Sequence, residues 1–193
     1  MRAQLSALLW LTIRDPAEAA LVLLGIPVSR NVGWQNLALG VVLNTLAGIV
    51  MLAVFPLPAE MQAPFLNKPL LYALVFGSVF VILVFSLFWG GRAIGGRGRF
   101  EDVLLAIGWL LHVRFVVQVA SLLLMLAMPG FALIFVLGVG LYSIWVSLNF
   151  INVVHGFNSL MKAVLLSVIT MVGMFAGMIL LLSLVTATAI GMP

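Results

Sequence analysis

The chain has 193 residues, 65% hydrophobic and 7% charged, with nine Lys and Arg against five Asp and Glu. A soluble domain carries about 25% charged residues, so this chain cannot cover itself with a polar surface, and a bilayer is the solvent that remains. The net charge of +4 points to anionic lipid rather than nucleic acid, and the absence of Cys excludes disulfides, thiolate metal sites and Cys nucleophiles.

The N-terminal stretch LSALLWLTI follows Arg2, as in a secretory leader, but Arg14-Asp15-Pro16 stands where a small-residue cleavage region belongs. Two short amphipathic helices on the membrane surface are expected instead. In the first, Leu5, Leu8, Leu9 and Thr12 fall at helical spacing. The second opens with an Asp15 cap, Pro16 at the first helical position and Glu18 able to reach back. Gly25 and Pro27 end it.

A helix needs about 20 apolar residues to cross the hydrocarbon. Five runs qualify: 37–55, 70–89, 103–128, 131–151 and 163–185. The first is closed by Pro56 and Pro58, the second by Gly90-Gly91, and the third by Pro129-Gly130, a link short enough to make an antiparallel hairpin of spans three and four. Nothing alternates as a membrane barrel requires. The expected fold is all-α: a polytopic membrane helical bundle with five transmembrane helices and N-terminal interfacial amphipathic helices. Residues 1–35 form the interfacial part and 36–190 the bundle. Gly173 and Gly177 on the fifth span make a GxxxG pair suited to helix packing.

Orientation follows from the loops. With the N-terminus inside, the inner segments hold Arg2, Arg14, Arg30, Arg92, Arg97, Arg99 and Lys162, and the outer ones hold Lys68. Cytoplasmic loops are the ones enriched in Lys and Arg, so a cytoplasmic N-terminus and an outside C-terminus are expected. Trp34, Trp89 and Trp109 fall toward the inner interface and Tyr72 at the outer one.

The ninth basic residue, Arg114, lies inside span three, in WLLHVRFVVQ. An arginine at the centre of an inserted helix costs about 2.5–3.5 kcal/mol. The run 103–128 is roughly 39 Å of helix against about 30 Å of hydrocarbon. If the surplus lies inside, the Arg114 backbone sits only about 7–8 Å below the interface, within reach of a snorkelling stem. Arg114, Gln118 and Ser121 share one face, whereas His112 points about 200° away from Arg114. All five acids (Asp15, Glu18, Glu60, Glu101, Asp102) lie outside the spans or at their ends. Interior partners must then be neutral, such as Asn44, Asn149 or Asn152. Two readings stand: a lipid-facing anchor, or an intramembrane polar site of Arg114, Gln118, His112, Asn149 and Asn152.

Two polar stretches invite chemistry. GGRAIGGRGR at 90–99 lacks the Gly-Lys-Ser/Thr ending and the preceding strand of a phosphate loop. It reads as a flexible inner loop whose Arg92, Arg97 and Arg99 meet anionic headgroups. HGFNS at 155–159 sets His155 near Ser159 but has no acid nearby. It reads as a polar turn in which Asn158 or Ser159 caps span five. Two histidines without an acid cluster argue against a metal site, and no cofactor is expected.

Three stretches carry a family likeness: LTIRDPAEAALVLL at 11–24, GGRGRF at 95–100 with Trp109 beyond it, and WVSLNFINVVHGFNSLMKA at 145–163. In these the chain resembles the Yip-domain proteins, five-span membrane proteins related to the Ypt- and Rab-interacting factors, and most of all their bacterial branch. The resemblance implies an integral membrane protein without enzymatic activity, placed in a bacterial inner membrane. Eukaryotic members bind small GTPases, related membrane proteins and trafficking factors. This sequence has no long polar region or Asp-Leu-x-Gly-Pro stretch ahead of span one, so GTPase binding is not expected. The expected function is a non-enzymatic membrane adaptor or organiser, with anionic lipids, other membrane proteins or a second copy as partners. The alternative is a small permease or channel with a path near Arg114, Gln118 and Asn149.

Overall fold

A computed structural model of the chain describes residues 2–190 apart from 59, 61, 62, 64, 65 and 67, with side chains described from residue 5 to 177 within that set. The described residues form seven helices and no strand. They are α1 (Arg2–Arg14), α2 (Pro16–Leu24), α3 (Arg30–Val54), α4 (Pro69–Ala93), α5 (Phe100–Ala127), α6 (Pro129–His155) and α7 (Leu160–Ile190). Five of them are long and apolar enough to cross a membrane. The protein is an integral, multi-pass membrane protein.

The first four spans match their apolar runs within two residues at one end and overrun them at the other, and α7 overruns at both ends. At the end bearing Arg30, Arg92, Arg97, Arg99 and Lys162, each helix continues three to seven residues past the run. The cause is local capping. Ser29 accepts from the Val32 N–H, 3.4 Å away, and starts α3 early. The Asp102 carboxylate accepts from the Arg99 N–H at the start of α5. Gly156, in the left-handed region at φ 61°, closes α6 late. We call this the basic end.

The core lies in this half. Residues 103–109 of α5 are all buried, so this part of α5 is a pillar surrounded on every side. Leu104, Leu111, Val84, Phe150 and Leu166 are among the fully buried side chains. The far half exposes Leu70, Leu74, Leu123, Leu126, Leu133, Ile134, Leu137 and Leu141. The physical reason is the change of solvent. Between helices in lipid, apolar burial gains nothing over acyl chains and only packing drives association. Helix ends that leave the hydrocarbon meet water, and there apolar burial is favourable at about 25 cal/mol per Å².

α3 and α5 run parallel and touch closely, because Gly40 faces Leu111 and Gly108 faces Asn36. α4 runs antiparallel to α3, with Tyr72 against Gly48 and Val41 against Gly77. α6 returns beside α5 through the Met128 link, and α7 lays Leu166 against Gly90 of α4.

The two N-terminal helices form as expected, with the Glu18 N–H donating to Asp15 at 3.0 Å, but they are not simply laid on a surface. They fold into a hairpin against α5 and α6, burying Leu8, Thr12, Pro16, Ala19, Ala20 and Leu23. Trp109 Nε1 donates to Thr12 Oγ1 at 3.0 Å, and the Tyr142 hydroxyl donates to the Ile13 carbonyl. These bonds fasten the hairpin to two spans. Thr12→Val keeps the side chain's shape and removes the acceptor. It is expected to weaken the attachment by about 0.5–1.5 kcal/mol and to speed proteolysis at the Arg14 turn, with little change in the melting of the spans.

Candidate functional site

Polar side chains inside the spans serve the backbone first. Asn149 donates to the Trp145 carbonyl at 2.9 Å. Ser121, Ser143, Ser147 and Ser167 each donate to the carbonyl one turn back. His112 Nδ1 lies 2.7 Å from the Gly108 carbonyl oxygen. Asn44 bridges helices: its Nδ2 donates to Gly40 of α3 and Leu111 of α5, both at 2.8 Å.

The residues expected around Arg114 do not converge. Arg114 is exposed, and its guanidinium stands 5.5 Å over the Phe76 ring of α4. Gln118 lies one turn along the same face, its Oε1 buried and without a hydrogen-bond partner among the described residues. His112 bonds its own helix. Asn149 sits on α6, and Asn152 accepts from the Ser159 N–H at 3.0 Å, fixing the turn before α7. Among the described residues, nothing lies within 4 Å of a Cβ placed at Gly173 or Gly177.

Arg114→Leu is therefore expected to leave the bundle intact and to raise its melting temperature slightly in bilayer discs. An exposed cation–π contact is worth about 0.5–1 kcal/mol, less than the roughly 2.5–3.5 kcal/mol insertion cost. A clear drop would mean that Arg114 is held by a partner outside this chain.

What does converge lies at the basic end, where two constructions stand side by side. The first is a cradle. His155, the last residue of α6, is 1% exposed. Its ring stacks on Phe157, with centroids 5.1 Å apart. Gly91, Gly96 and Gly98 close around it so tightly that a Cβ on any of them would overlap the ring, its Cβ or nearby backbone. The Arg97 N–H donates to the His155 carbonyl at 2.9 Å. The glycine-rich stretch is thus a fitted collar, with Gly91 still inside α4.

The second is an aromatic cluster from three helices: Trp34 of α3, Phe85 and Phe88 of α4, and Phe100 of α5, with ring centroids 5.2–6.3 Å apart. Arg30 stands 4.5 Å over Phe100 and Arg92 4.6 Å over Phe88. Arg99 lies 3.9 Å from Glu101, the one ion pair among the described residues.

The family model of the Yip1 domain matches residues 10–181. The chain belongs to the Yip1-domain family. No curated protein and no solved structure matches it. The Yip1 match begins at Trp10 and takes in Thr12, the α1–α2 turn, the glycine collar, the first four spans and most of the fifth. Within this Yip1 domain, sequence reasoning missed both the collar and the Arg30 contact. The only local signals were glycines at 91, 96 and 98 and the spacing of aromatics along α4.

Proposed function

We propose that this Yip1-domain protein is a non-enzymatic membrane adaptor that presents its basic end to the cytoplasm from a bacterial inner membrane. The observation that carries the reading is the N-terminal hairpin. It is fastened rigidly to α5 and α6, yet turns Leu5, Trp10, Ile13, Leu21, Val22 and Ile26 outward. A rigid apolar face beside exposed arginines suits contact with another membrane protein. The orientation is supported by the basic residues gathered at that end. The in-span polar groups that fix backbone and helix contacts support a scaffold in preference to a transport path.

The test is co-purification from native membranes in mild detergent. Wild type is compared with a variant carrying Trp10→Ser, Leu21→Ser and Ile26→Ser. A stoichiometric membrane protein that is lost with the variant, while its helices and elution stay unchanged, is expected. Identical associated proteins with both chains would overturn the reading. A reporter that places the α4–α5 loop outside would overturn the orientation.

A further inference from the structure

We propose that Arg30 and Arg92 together form one binding site for the phosphate of an anionic lipid headgroup. The inference is independent of the adaptor reading. Both guanidiniums stand on one aromatic cluster: the rings beneath them, Phe100 and Phe88, meet edge to face with centroids 5.4 Å apart. Each ring is almost fully buried, so each cation rests on a fixed floor. Ring contact occupies one face of the guanidinium and leaves its N–H edge free. That edge is the part that grips a phosphate with two parallel hydrogen bonds.

Neither arginine is in an ion pair with a described carboxylate, whereas Arg99 shares its charge with Glu101. Arg30 is the first residue of α3, where unpaired backbone N–H groups also favour an anion. Arg92 lies in the last turn of α4. The depth suits a lipid. Trp34 and Trp89 sit one turn further into the same two helices, and tryptophan marks the headgroup boundary. The 25 residues of α3 span roughly 37 Å against about 30 Å of hydrocarbon. The two cations are therefore held at phosphate level beside the acyl region. A soluble phosphate would gain nothing from that placement, and a lipid would.

The experiment uses the full chain in bilayer discs of equal parts phosphatidylglycerol and phosphatidylcholine. Lipids retained after transfer to detergent are read by native mass spectrometry. Wild type is expected to retain phosphatidylglycerol over phosphatidylcholine. The double variant Arg30→Gln/Arg92→Gln is expected to reduce that preference by roughly tenfold. A control of equal charge loss, Arg14→Gln/Lys162→Gln, is expected to keep it. No preference in wild type, or an equal loss in the control, overturns the site. Displacement of the lipid by millimolar inorganic phosphate overturns the lipid as its source. Should the double variant fail to fold, arginine modification by a dicarbonyl reagent decides on wild type alone. Phosphatidylglycerol must protect Arg30 and Arg92 and leave Arg14 reactive; equal reactivity overturns the proposal.

Discussion

Gly91→Ala is expected to lower the melting temperature of the detergent-solubilised protein by roughly 5–10 °C. A Cβ at Gly91 would lie 2.5 Å from His155 Nδ1, far inside van der Waals contact. The imidazole cannot yield, because Phe157 stacks on it and Gly96 and Gly98 close the other sides. Either α4 must shift or α6 must give up its last turn. Overpacking of this kind costs about 1–3 kcal/mol. The mechanism makes a sharper demand. His155→Ala alone leaves a hole and is itself expected to cost roughly 2–4 kcal/mol. In the double variant the new methyl enters the space the ring left, so the two losses must not add. A coupling of about 1–3 kcal/mol is expected. Additive losses would show that Gly91 matters for some reason other than the ring. The readout also reaches the site beside it. Arg92 follows Gly91 directly, and the Arg97 N–H is bonded to His155. A displaced collar would thus move a cation off Phe88.

Much of the fold was legible because it is written locally. Five apolar runs, prolines at 56, 58 and 129, and the Asp15-Pro16 start are all signals within a few residues of the feature they set. The helix extensions at the basic end were not, since Arg30–Asn36 and Arg92 carry too little hydropathy to register as span. The polar turn at 155–159 was legible as a turn, although the residue that accepts the Ser159 N–H is Asn152, a full turn earlier on α6. Long-range pairing was hidden. Thr12 was read as part of an apolar stripe, but nothing near it announces Trp109, 97 positions away. Small residues alone do not name a partner. The familiar GxxxG of Gly173 and Gly177 meets nothing within 4 Å among the described residues, while Gly33, Gly40 and Gly48 are each occupied by a neighbour. Their spacing of seven and eight is a helical period too, so the seam could have been read. What no spacing reveals is which other helix fills it.

That contrast yields the second large effect. Gly40→Ala is expected to destabilise the bundle by about 1–3 kcal/mol, and Gly173→Ala to leave it unchanged or stabilise it by up to about 1 kcal/mol. Both are glycines within spans, and in isolation each alanine improves the helix. The difference is the neighbour. A Cβ at Gly40 would meet the Leu111 Cβ at 2.8 Å and its Cδ1 at 3.3 Å. A Cβ cannot swing away as a side-chain tip can, so relief requires α3 and α5 to part. Parting them also stretches the Asn44 bond to the Leu111 carbonyl of α5, one turn further along the same seam. Asn44 is 2% exposed, and loss of a buried hydrogen-bond partner costs about 1–3 kcal/mol. The penalty should therefore shrink when Asn44 is already leucine. At Gly173 no described atom lies within 4 Å of the added methyl. Thermal melting of the two variants in the same bilayer discs separates the cases. A Gly173→Ala loss as large as that of Gly40→Ala would mean that a second chain covers α7 in the membrane. The same measurement would then have located a contact that one chain cannot show.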